Sequence, residues 1–192
     1  MEQSKGLQLL EAEVLSCQKC QLRAGCSKVI FGEGSLQGGM MVIGEGPGKE
    51  EDRIGRPFVG RSGQLLEKLL ASGGFTRQEH YFISNIVKCR PPGNRAPLAA
   101  EKEACLPYLQ QQITLIKPQI IVLLGATALQ GLIDPRAKIS SLRGHWLEWQ
   151  GFSVMPTYHP AALLRNPRLK ASVLEDIQLI AAKYQELAIG NK

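Results

Sequence analysis

No stretch of this chain approaches the roughly 18–20 consecutive apolar residues that a membrane-spanning helix needs. The opening MEQSKGLQLLEAEVLS is charged and amphipathic and lacks the continuous apolar core of a signal peptide. The expectation is therefore a cytoplasmic protein with no membrane attachment. Aromatic residues are scarce at 6%, and charged residues reach 21% without long single-sign blocks. With 44% hydrophobic residues, this composition excludes disordered, collagen-like and coiled-coil chains. Internal repeats and low-complexity tracts are absent, which excludes solenoids and propellers. What remains is one domain spanning 1–192, large enough to bury a core and expected to act as a monomer.

The net charge is modest, +6 from 23 Lys+Arg against 17 Asp+Glu, so its placement matters more than its size. Arg53, Arg56, Arg61, Arg90, Arg95, Arg143, Arg165 and Arg168 fall in or beside segments that read as loops. Converging on one face, they would form a phosphate-binding rim.

Hydrophobic periodicity alternates between helix and strand, the pattern of an α/β fold. Leu7, Leu10 and Val14 mark one face of an opening helix. Met40–Ile43, Tyr81–Val87, Ile120–Leu124 and Ser153–Tyr158 read as strands, apolar enough to be buried on both faces. Ser62 is placed to cap a helix that stops at Gly73-Gly74, and further helices are expected over Leu98–Ile116, Ala126–Leu132 and Arg168–Ala188. The stretches Gly44–Arg61, Asn85–Pro97 and His159–Pro167 read as loops. In open α/β sheets, ligands bind beyond the carboxyl ends of the strands, where these loops lie.

Five cysteines, an odd number in a chain without an export signal, point to a metal site or free thiols rather than a disulfide framework. Cys17 and Cys20 form a C-x2-C pair, with Cys89 and Cys105 far along the chain. Four such thiolates suit either a tetrahedral zinc or a cubane iron–sulfur cluster. The wide spacing favours the larger group, and Cys26 is a fifth thiol able to replace one of the four.

MMVIGEGPGKEED looks like a strand entering a phosphate loop, but its glycines are spaced G-x-G-x-G around Pro47 and no Lys-Ser or Lys-Thr follows, so nucleotide binding is a poor fit. Instead GEGPGKEED (44–52), GRPFVGRSGQLL (55–66), SNIVKCRPPGNR (84–95) and YHPAALLR (158–165), together with the cysteine spacing, resemble the family 4 uracil-DNA glycosylases. The resemblance runs from Cys17 to about Arg165. It implies a three-layer α/β/α sandwich around a short, mainly four-stranded parallel sheet. It also implies removal of uracil from single- or double-stranded DNA, and a [4Fe–4S] cluster on Cys17, Cys20, Cys89 and Cys105.

The resemblance also assigns roles. Asn85 matches the residue that reads the uracil edge, Phe58 the ring on which the flipped base stacks, and His159 a donor to uracil O2. Glu45 takes the position near the attacking water, with Gly46 offering backbone N–H groups and Glu51 lining the pocket or standing as a solvated loop charge. Leu163 and Leu164 would wedge into the gap left by the base, and Arg61, Arg95, Arg143 and Arg165 would grip phosphates. A related branch that attaches covalently to DNA through a histidine-bearing basic insertion has Gln at the Glu45 position; KISSLRG carries no such insertion. No lysine stands out as a Schiff-base nucleophile, so a monofunctional hydrolase is expected. The contrasting readings are a non-catalytic DNA-binding module and an electron-transfer iron–sulfur protein.

Overall fold

Strands that are apolar without interruption need cover on both faces, and the structure supplies it. The computed structural model describes residues 2–190. Its sheet consists of β1 (Glu33–Gly34), β2 (Met40–Gly44), β3 (Tyr81–Asn85), β4 (Ile120–Leu124), β5 (Leu147–Trp149) and β6 (Phe152–Thr157), in the order β1-β3-β2-β4-β6-β5. The inner four strands are parallel, and the short β1 and β5 pair antiparallel at the edges. The sheet is thus six-stranded and mixed around the expected parallel four. Two- and three-residue edge strands are too short to show a period of their own.

The helices are α1 (Glu2–Leu15), α2 (Leu22–Gly25), α3 (Lys49–Ile54), α4 (Arg61–Ser72), α5 (Ala99–Ile116), α6 (Gly125–Leu132), α7 (Ile139–Leu142), α8 (Pro160–Arg165) and α9 (Lys170–Gly190). Side chains alternate along each strand between two cores. Met41, Ile43, Ile121 and Leu123 face Leu7, Leu10 and Val14 of α1, Leu109 and Ile113 of α5, and Leu129 of α6. Met40, Val42, Ile120 and Val122 face Leu66 and Leu70 of α4 and Ile180 of α9. That division is the α/β/α sandwich.

Local signals account for the remaining differences. Gly60, not Ser62, precedes α4, so Ser62 lies inside the first turn. The stretch 44–61 contains α3, too short to display periodicity; its first turn carries Glu50, Glu51 and Asp52, which suit the positive helix end, and Gly55 at φ 91° stops it. The stretch after β6 contains α8, started by Pro160 at a position that tolerates its missing N–H. Among the described residues, no helix is long and apolar enough to cross a membrane.

Candidate active site

Chain order places β3 on one side of β2 and β4 on the other, so the connections diverge and leave a crevice beyond their carboxyl ends. A cavity of about 540 Å³ occupies it, lined by the residues following β2, β3, β4 and β6. Glu45, Gly46, Glu51, Phe58, Asn85 and His159, drawn from four separate segments, all line it.

Asn85 ends β3, is 1% exposed, and its Oδ1 has no hydrogen-bond partner. An orphaned buried acceptor costs on the order of 1–3 kcal/mol, which a donor entering the cavity would relieve. Gly44 makes room: a Cβ there would lie 2.6 Å from Asn85 Oδ1 and collide with the Phe58 ring. Phe58 is buried and holds φ at 54°, a left-handed conformation rare for an aromatic residue. Its ring stands 5.9 Å from that of His159. Glu51 is no solvated charge. Its Oε1 accepts from Val59 N (2.9 Å) and Gly60 N (2.8 Å) and its Oε2 from Gly48 N (3.1 Å), so it braces the loop carrying Phe58.

His159 precedes α8, and its Nδ1 accepts the Ala161 N–H at 3.1 Å. That bond leaves the ring proton on Nε2. Burial, helped by nearby Arg165 and opposed by Glu51, pushes its pKa down to about 4, so the ring is neutral at physiological pH. Glu45 receives a hydrogen bond on Oε2 from the Thr127 hydroxyl of α6. Thr127 also lines the cavity; its sequence context, a small-residue helix after a strand, carried no signal of that role.

The rim departs further from expectation. Leu163 is 3% exposed and packs against Leu69, Val173 and Ile177, because its position on α8 turns it to the core; Leu164 is 43% exposed. Arg143 is turned inward, paired with the fully buried Asp176 and donating to Ser172 O at 2.7 Å, so its charge braces α9 instead of facing solvent. Arg95 lines the cavity but is engaged by Glu101 at 2.7 and 2.8 Å. Arg53 and Arg56 pair with Glu50 and Glu33. Arg165 lines the cavity and is exposed, as is Arg61 at the start of α4.

Residues 31–178 match the family model described as the uracil DNA glycosylase superfamily. The chain is 46% identical over 176 residues to a type-4 uracil-DNA glycosylase of Thermotoga maritima, covering 90% of this chain and 91% of the relative. It is 44% identical over 181 residues to one of Pyrobaculum aerophilum (90% and 92%) and 40% over 194 residues to one of Sulfurisphaera tokodaii (97% and 86%). The chain belongs to the type-4 uracil-DNA glycosylases.

In this family member a second constellation lies behind the cavity. Cys17, Cys20, Cys89 and Cys105 line one pocket whose other walls include Val14, Leu22, Val29, Val87 and Tyr108. Burial pushes the Cys89 and Cys105 thiols up, Cys89 further so because Cys26 and Cys105 adjoin it. Backbone N–H groups of Lys88 and Lys19 point at Cys105 Sγ (3.3 Å) and Cys17 Sγ (3.5 Å). Four soft donors, an apolar wall and amides aimed at sulfur fit a thiolate-ligated group, whose positive charge would offset the cost of buried thiolates. Among the described residues no three His, Cys, Asp or Glu side chains are grouped closely enough to hold a metal ion. Cys26 is buried beside the pocket without lining it. Between the two sites, buried Lys88 donates through Nζ to Ser84 Oγ (2.5 Å), Gln112 Oε1 (2.7 Å) and the Asn85 carbonyl (2.9 Å).

Proposed function

We propose that this chain flips uracil out of DNA and hydrolyses its N-glycosidic bond, giving free uracil and an abasic site. The observation that carries this reading is the unpaired, buried Asn85 Oδ1 sharing one cavity with a neutral His159.

Uracil N3–H would donate to Asn85 Oδ1 while its O4 accepts from the amide nitrogen. Cytosine reverses that edge and would leave polar groups unpaired in a buried site, which underlies strong discrimination. The base would stack on Phe58, whose strained turn holds the ring edge beside the Asn85 amide over Gly44. As the N1–C1′ bond breaks, its electron pair moves onto the base and charge accumulates on O2. There the Nε2–H of His159, with backbone N–H groups near Gly46, would stabilise it without transferring a proton. Glu45, its second oxygen held by Thr127, would face the cationic sugar and orient the water that adds to C1′, taking the proton which that water loses; this proton, passed on through solvent, neutralises the released uracil anion. Arg61 and Arg165 would contact phosphates, and Leu164 would fill the vacated stack.

Cys17, Cys20, Cys89 and Cys105 would hold a [4Fe–4S] cluster, which when bound ties the segment after α1 to the loop after β3 and to α5. Lys88 does not line the base cavity, in keeping with a monofunctional hydrolase. One domain acting as a cytoplasmic monomer on single- or double-stranded DNA belongs to the same proposal.

The test is incubation of the purified, cluster-loaded protein with an oligonucleotide carrying uracil opposite guanine, followed by assays for free base and alkali-labile sites. Release of uracil, largely lost in Asn85→Ala, is expected. Absence of release from a folded protein would overturn the reading, and a protein–DNA band surviving denaturation would indicate covalent trapping instead.

A further inference from the structure

The Phe58 turn is gripped from two sides by buried groups of opposite charge. On one side Glu51 takes the Val59 and Gly60 N–H groups. On the other lies Arg77, between α4 and β3, only 5% exposed although it is an arginine. Its Nη1 donates to Pro57 O at 2.8 Å and its Nη2 to Phe58 O at 3.3 Å. Two carboxylates hold the guanidinium in place: Glu67 of α4 at 2.7 Å and Glu33 of β1 at 3.4 Å. Arg77 does not line the cavity, so its burial has no direct use in binding a base.

A left-handed Phe is costly to maintain, and such strain persists only where the surroundings over-determine it. Four consecutive residues, Pro57 to Gly60, each have a backbone group taken by one of the two charged side chains. The guanidinium fork suits this task, since one planar group reaches two successive carbonyls while its charge is met by carboxylates. Packing alone would also hold a ring, but would not fix the peptide orientation that a positive φ demands.

The geometry points to Arg77 as a positioning residue for base stacking: it holds the Pro57 and Phe58 carbonyls so that the Phe58 ring stands ready beneath the flipped base. This inference rests on the uracil-release reading.

The test is a double-substitution cycle. Single-turnover uracil release is measured for the wild type, Arg77→Lys, Phe58→Ala and the combined variant, alongside affinity for an oligonucleotide with an abasic site. Lysine keeps the charge but cannot span both carbonyls. Arg77→Lys is expected to slow release on the order of 10- to 100-fold, the scale of a lost stacking contact or a displaced substrate. Binding of abasic DNA, which offers no base to stack, should stay within about twofold. In the Phe58→Ala background the Arg77 change should cost nothing more. Additive losses, or abasic-DNA binding that falls with the rate, would overturn the inference and leave Arg77 a general fold element. Should Arg77→Lys not fold, Glu67→Gln, which removes one carboxylate holding the guanidinium and leaves Arg77 in place, takes its part in the cycle with the same expected outcomes. A wild type that releases no uracil would instead count against the proposed activity. The clamp is then judged by the proton contact between the Phe58 and His159 rings, whose loss in Glu67→Gln supports it and whose retention refutes it.

Discussion

Thr127, 82 residues away in sequence, donates its hydroxyl to Glu45 Oε2. The bond fixes the carboxylate rotamer and leaves the other oxygen for the cavity. Thr127→Val should leave Glu45 Oε2 unpaired and lower the rate of uracil release by about 5- to 20-fold, the equivalent of about 1–2 kcal/mol. Thr127→Ser should restore most of it. Measured kcat and KM should separate, with kcat taking the loss.

His159 should show no titration near 6.5. Its folded pKa near 4 lies below the ordinary value of 6.5. Between those two values the unfolded chain binds a proton that the folded site rejects, so this group's contribution to stability is fully present above 6.5 and is lost as pH falls. The kcat profile should accordingly carry no His159 inflection between pH 5.5 and about 7.5, read against a His159→Gln control. That control should lose about 100- to 1,000-fold in kcat, as for removal of one preorganised donor.

Arg143 and Arg165 should separate stability from DNA binding. Arg143→Ala strands Asp176, which is 0% exposed and also accepts from Thr157 Oγ1 at 2.5 Å, and should cost about 3–5 kcal/mol in denaturant unfolding. Arg165→Ala should leave stability within about 0.5 kcal/mol. It should reduce the slope of log K against log salt by about one in DNA-binding titrations.

Leu163→Ala should destabilise by about 2–4 kcal/mol, since it opens a cavity among Leu69, Val173 and Ile177. Leu164→Ala should unfold like the wild type. It should nevertheless release uracil more slowly from duplex than from single-stranded DNA, because only the duplex leaves a gap to fill.

The sequence carried the parallel strands almost residue for residue, because a strand buried on both faces announces itself as an apolar run; Ile120–Leu124 is unchanged between expectation and structure. It also carried the cavity residues, since Glu45, Asn85 and His159 sit in motifs at strand ends and Phe58 in the motif between α3 and α4. Direction was less legible than position. Neighbouring Leu163 and Leu164 are chemically identical, and only the docking angle of α8 decides which one is buried. Arg143 read as a loop cation because its partner Asp176 lies 33 residues further on, in a helix whose pattern gives no hint of the pairing. Arg77 was missed for a similar reason: nothing in a turn between helix and strand distinguishes a buried guanidinium from a solvated one.

The five residues from Asn85 to Cys89 connect the unpaired amide of the cavity to the cysteine pocket, with Lys88 pinned between them by three hydrogen bonds. An inserted or deleted residue here would swing one end out of its site whichever end stayed fixed. This span therefore has no freedom of length. The constraint continues past it, since Pro91, Asn94 and Arg95 line the cavity in their turn, so the stretch from Asn85 to Arg95 should remain ungapped among relatives.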